Sequence, residues 1–245
     1  MESKDWPFPR LEGVTETPVM RPDGSILNLP GYDADTELFF DPRGVGFPEV
    51  PSRPSQRDAV VALGLLDGLL DDFPFVSDAD RAAVLAAILT LLARNLVEGC
   101  CPMFAFRATT PSSGKGLLAD VVSLVGTGRT ASRHPATNDE RELAKVILTV
   151  AMEGDRVVLL DNAVGTFGCG VIANALTAET WKDRILGFSK SGEAPLRAVW
   201  MLTGNNVLFR GDTPRRVIPC DLDPKMEHPE DRHPECFKYP KLLHH

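Results

Sequence analysis

The sequence predicts a three-layer α/β fold, with a central, mostly parallel sheet preceded by an N-terminal hairpin, a linker and helices. Three observations predict it. From residue 56 onward, helical stretches alternate with short apolar runs, the pattern of a parallel sheet covered on both faces. One run leads through a Ser/Gly-rich turn straight into a helix. Two others end in polar residues, Asp161-Asn162 and Thr203-Gly204-Asn205-Asn206, where the ligands of such sheets sit.

The elements follow in order. Residues 1–57 are rich in proline, glycine and aspartate and form an N-terminal extension and linker, expected to pack on the main domain, residues 58–245. Within them "TPVMRPDGSILNLPGYD" holds a hairpin signal around Pro22-Asp23-Gly24, and "FFDPRGVGFPEVPSRPSQ" reads as a linker. "QRDAVVALGLLDGLLDDF" and "DADRAAVLAAILTLLARNLVEG" have helical spacing, the second capped by Ser77 or Asp78 and apolar almost all round, hence expected to be well buried. "CPMFAFRAT" is a buried strand and "KGLLADVVSLVG" a helix. "TNDERELAKVILTVAMEG" is a further helix with Thr137 and Glu140 spaced as a capping box. "DRVVLLDN" is a strand ending at Asp161, "NALTAETWKDRILGFS" mixes helix and turn, and "RAVWMLTGNN" is a strand. "TPRRVIPCDLD" adds a last strand after two arginines.

Composition narrows the function. The 245 residues, 43% of them hydrophobic, suffice for one good core. No apolar run is long enough to span a bilayer, and the start "MESKDWPFPR" has no signal-peptide pattern. Cys100, Cys101, Cys169, Cys220 and Cys236 have neither zinc nor disulfide spacing and read as reduced thiols of a cytoplasmic protein. The histidines also lack ligand spacing. A net charge of -8 argues against coating nucleic acid non-specifically, but not against a few basic residues lining a channel.

"ATTPSSGKGLLADVV" (108–122) approximates the phosphate-binding pattern G-x-x-x-x-G-K-[ST]. Pro111, Ser112, Ser113, Gly114, Lys115 and Gly116 are the nucleotide-binding candidates. Successive backbone N–H groups and the positive end of the following helix favour an anion, and Lys115 adds a mobile charge. Thr109 replaces the first glycine. Gly116 replaces the hydroxyl residue that binds magnesium, so that ligand becomes water or a neighbour such as Ser113. Asp161 is the candidate magnesium residue, holding the ion through water. Asn162 follows it where many ATPases carry a glutamate; an amide orients water but is a poor base, which leaves Glu140 and Glu179 as substitutes. Asn205, with Asn206 second, suits a residue that senses a γ-phosphate or positions water. Arg215 or Arg216, with Arg210 as the other candidate, can stabilise transition-state charge in a neighbouring subunit.

This order of loop, acidic strand end, polar strand end and arginines resembles the AAA+ ATPases, and the stretch from Asp161 to Asn205 resembles superfamily 3 helicases. "RPDGSILNLPGYD", "PSSGKGLLADV", "VVLLDN", "LTAETWKDRILG" and "TGNNVLFRGDTPRRVIPCDLDP" resemble the ATPase region of primase-helicase proteins of prophages and other mobile elements, over roughly residues 17–235. The resemblance implies ATP and Mg2+ as cofactors, an Asp161-Asn162 pair that belongs to the pattern, a homo-oligomer such as a hexamer, and single-stranded DNA in its channel. It also implies a hairpin within residues 181–200, where Lys182, Arg184, Lys190 and Arg197 become DNA-binding candidates. The loop departs from the family's P-G-T-G-K-T at Ser112 and Gly116. A primase region upstream and the helix that relatives carry after "KYPKLLHH" are not in this sequence. Two other readings stay open: a nucleotide-binding assembly or regulatory module with little turnover, and an unrelated α/β protein whose loop binds another anion.

Overall fold

The computed structural model describes residues 7–51, 53–184, 191–226 and 228–231. The extension forms β1 (Gly13–Thr15), β2 (Val19–Met20), β3 (Ile26–Leu27), β4 (Gly31–Asp33) and β5 (Leu38–Phe40). β2 and β3 are the hairpin expected around Pro22-Asp23-Gly24, whereas β1, β5 and β4 form a small mixed sheet. Helices α1 (Gln56–Gly68) and α2 (Asp78–Leu92) follow. Then come β6 (Met103–Ala108), α3 (Lys115–Thr127), β7 (Ser132–Pro135), α4 (Glu140–Glu153), β8 (Val157–Phe167) and α5 (Gly170–Ala175). The hairpin β9 (Thr180–Arg184) and β10 (Ser191–Pro195), then β11 (Val199–Phe209), a 3-10 turn at Thr213–Arg216, and β12 (Val217–Leu222) complete the main body.

The central sheet has five strands in the order β12-β6-β11-β8-β7, all parallel. Its side chains alternate between two buried faces. Phe104, Phe106, Leu159 and Met201 join the core under α2 and α3, while Met103, Ala105, Leu160, Trp200 and Leu202 join the core under α4 and α5. That two-sided burial is why the strands read as continuous apolar runs rather than alternating ones.

The extension sits on the ends of α3 and α4. Glu16 N–H donates to Thr127 O at 3.0 Å, Thr17 Oγ1 to Gly126 O at 3.2 Å, and Arg129 Nε to Glu16 Oε1 at 2.7 Å. Gly154 ends α4 at φ 68°, and a Cβ there would stand 2.4 Å from Glu12 O, so this docking requires glycine.

Several local expectations change. α4 is capped by Asp139, whose carboxylate accepts from the N–H groups of Arg141 and Glu142, while Thr137 accepts only from Asp139 N–H. A carboxylate two residues closer to the helix answers more of its open N–H groups. Ser77, not Asp78, caps α2. That helix buries one face (Val84, Ala87, Ile88, Leu91) and leaves Leu89 50% exposed. Residues 174–184 hold the end of a short helix, a turn and then β9, where strand pairing with β10 overrides the local helical signal; residues 185–189 of that segment lie outside the described residues. β7, too short and polar to read as a strand, closes one edge of the sheet.

Candidate functional site

The nucleotide-binding candidates, Asp161, Asn162 and Asn205 converge at the carboxyl edge of the sheet. Pro111, Ser112, Ser113, Gly114, Lys115 and Gly116 line a cleft of about 720 Å³ together with Asp120, Arg133, Asp161, Asn162, Thr203 and Asn205. Two left-handed residues, Ser112 at φ 55° and Gly114 at φ 87°, wrap the chain around the turn. Gly114 is the N-cap of α3 and supplies no side-chain acceptor, so the first N–H groups of the helix remain open to an anion. The Ser113 hydroxyl, buried, donates to Thr110 O at 2.5 Å and fixes the turn. Lys115 Nζ rests on Thr110 O at 3.2 Å; burial lowers its pKa, opposed by the charge of Asp161.

The two polar segments are not strand ends. β8 runs on to Phe167 and β11 to Phe209. Each is interrupted, because the register with its neighbour shifts between Leu202 and Gly204 and again between Asn205 and Leu208. Asn162 (φ 61°) and Asn206 (φ 50°) absorb the distortions, since asparagine tolerates the left-handed region better than most residues. Asn162 and Ser112 thus place left-handed backbone at the cleft. Thr203 holds the first bulge: its hydroxyl accepts from Asn162 N–H at 3.0 Å and donates to Asp161 Oδ1.

Sequence reasoning missed Arg133 and Asp120. Arg133 lies on β7; its Nη2 donates to both Asp120 oxygens at 2.7 Å and its Nη1 to Asp161 Oδ2 at 3.0 Å. Burial works against its charge, but the bonds and fields of Asp120 and Asp161 outweigh it and raise its pKa. No spacing signal points to Arg133, because only the edge pairing of β7 brings it beside Asp161.

A magnesium ion held by the protein needs oxygen ligands with lone pairs available. Here each Asp161 oxygen already accepts a bond, from Thr203 and from Arg133, and the guanidinium charge of Arg133 stands beside it where it would repel a dication. Ser113 is turned into the loop, and residue 116 has no hydroxyl. A Cβ on Gly116 would stand 3.8 Å from Arg133 Nη1. The donor set does not fit a directly bound magnesium.

Neither substitute base lines the cleft. Glu140 Oε1 accepts from Gly170 N–H at 2.9 Å. Glu179 Oε1 lies 3.8 Å from a Cβ placed on Gly99, before the start of β6 and so at the opposite edge of the sheet. Asn205 is in the cleft with a buried Oδ1 that has no hydrogen-bond partner among the described residues. Asn206 instead approaches Thr109 O at 3.4 Å. The arginines stand apart from the cleft. Arg215, 69% exposed, pairs with Asp212 at 2.8 Å; Arg216 donates to Asp212 O at 2.9 Å; Arg210 Nε donates to Gly168 O at 2.7 Å.

Lys182 and Arg184 lie exposed on β9, Lys182 paired with Glu193 of β10 at 2.9 Å. Lys190 lies outside the described residues. Arg197 is not on the hairpin: it lines a second cavity of about 410 Å³ at the amino edge of the sheet, 3.7 Å from Glu12.

No protein-family model and no curated protein matches the chain. Among solved structures, a crystal structure of the JCV helicase with a bound small molecule aligns with TM-score 0.36 and 16% identity, over 67% of this chain and 52% of that one. The chain thus spans about half the length of that structure. No helix among the described residues is long and apolar enough to cross a membrane. The five-stranded parallel sheet flanked by helices makes this an α/β protein whose architecture is consistent with a phosphate-binding-loop NTPase fold.

Proposed function

We propose that the chain binds ATP in the cleft at the carboxyl edge of the sheet and, as a homo-oligomer such as a hexamer in the cytoplasm, couples ATP turnover to movement along single-stranded DNA. This is the motor of a mobile-element replication protein. One observation carries the reading: the uncapped start of α3, the left-handed turn at Ser112 and Gly114, and Lys115 all face one cleft. Open N–H groups, a helix dipole and one cation together suit a polyphosphate.

Lys115 would bind the phosphates and Asn205 would position water or sense the γ-phosphate. Arg215 and Arg216, outside the cleft of their own chain, are where residues acting on a neighbouring subunit's nucleotide would be. Lys182 and Arg184 on the exposed hairpin would track the phosphate backbone. A second reading, nucleotide binding with little turnover, is favoured by one fact. The acidic residues lining the cleft, Asp120 and Asp161, are both engaged by Arg133, which leaves no carboxylate there free to act as base. Turnover of ATP with and without single-stranded DNA, beside Lys115→Ala, separates the two. The motor reading expects DNA-stimulated turnover that the substitution abolishes. Binding without turnover supports the second.

A further inference from the structure

A departure from the phosphate-loop pattern, Gly116, meets Arg133 of β7 in space. Gly116 lacks the hydroxyl that would reach a metal, and Arg133 Nη1 stands 3.8 Å from where its Cβ would be. A serine or threonine at 116 would bring its Cβ into ordinary contact with the guanidinium and its γ atoms closer still; glycine leaves more room. Arg133 is anchored from α3 by Asp120, which takes Nη2 on both oxygens at 2.7 Å. Its other nitrogen bridges to Asp161 at 3.0 Å, on the cleft side. The guanidinium therefore occupies the space between the acidic residue and the loop where a divalent cation would otherwise be held. With Nη2 fixed, Nη1 can exchange the Asp161 oxygen for a phosphate oxygen by a small rotation. Arginine forms charge-assisted bonds to either partner.

Charge points the same way. Among the residues lining the cleft, Lys115 and Arg133 balance Asp120 and Asp161. A dication brought beside Arg133 would face a like charge and find Asp161 already paired, so the site offers it little extra binding energy.

We propose that Arg133 is the resident cation of this site, standing where magnesium would be held, and that a metal-free nucleoside triphosphate binds as well as its magnesium complex. The proposal rests on the triphosphate reading of the cleft, and its test separates the two. The probe is mant-ATP, titrated by fluorescence in excess EDTA and in magnesium, against wild type, Arg133→Gln and Gly116→Thr. Wild type is expected to bind with dissociation constants within about threefold of each other in the two buffers. Arg133→Gln is expected to weaken binding in EDTA by about tenfold or more, the loss of one charge-assisted partner. Gly116→Thr, which crowds the guanidinium without deleting an ion pair, is expected to weaken it in EDTA as well and covers the case in which Arg133→Gln does not fold. Wild-type binding that collapses by about tenfold or more on chelation, with affinity retained in magnesium, overturns the proposal and leaves the nucleotide reading standing. Folded variants that bind in EDTA as wild type does also overturn it. No binding in either buffer overturns both.

Discussion

Removing one hydroxyl tests how the site is built. In Thr203→Val the side-chain shape is kept, but Asn162 N–H loses its acceptor at 3.0 Å and Asp161 Oδ1 loses its donor. A bond to a carboxylate contributes about 1.5–3 kcal/mol and a neutral one about 0.5–1.5. Asp161 is 39% exposed, so water recovers part of the first. The added methyl, at a buried position, returns something under about 1 kcal/mol. The net loss is about 2 kcal/mol, or about 4–8 °C in Tm at this chain length. Urea and thermal unfolding of wild type, Thr203→Val and Thr203→Ser measure it. Thr203→Ser keeps both bonds and should stay close to wild type. If the valine variant is as stable as wild type while the serine variant is not, packing rather than hydrogen bonding holds the bulge and the reasoning is wrong.

Lys115→Met should raise the stability of the ligand-free protein at neutral pH. Burial lowers the folded-state pKa of Lys115, so its charge destabilises the fold below that pKa; the gain should shrink as pH rises toward the unfolded value near 10.5, which thermal melts across pH would follow. Gly126→Ala should cost about 1–2 kcal/mol despite alanine's better helix propensity, because its Cβ would stand 2.6 Å from Leu91 Cβ and force α3 off α2; denaturant midpoints report it. Lys182→Glu with Arg184→Glu should weaken single-stranded DNA binding at low salt by about tenfold or more and flatten its salt dependence, read by fluorescence anisotropy, with ATP affinity unchanged.

Much of the architecture was legible because burial on both sheet faces writes itself as apolar runs. "MFAF", "VVLL" and "VWML" each name a central strand, and "SSGK" before an apolar helix gave the loop. What was lost depended on pairing rather than on local pattern. β7 is an edge strand of mixed polarity, so neither it nor Arg133 announced itself. Asp161 and Asn205 read as strand ends because bulges look like turns in sequence: an Asn at positive φ followed by more strand has the composition of a stop. The β9–β10 hairpin was anticipated only through resemblance, since "TAETWKDRIL" carries helical spacing while residues 180–184 within it pair with residues 191–195. Thr203 stood in the quoted segment, but its role as the clamp of Asp161 follows from strand adjacency alone.

The most direct test of the central claim is equilibrium binding of ATP to the wild-type chain and to Lys115→Ala, by calorimetry. The account predicts saturable one-site binding that the substitution weakens by about tenfold or more, the loss of one cation facing a polyphosphate. ATP affinity that is absent in wild type, or unchanged by the substitution, would contradict it and leave the loop as a turn that binds some other anion or none.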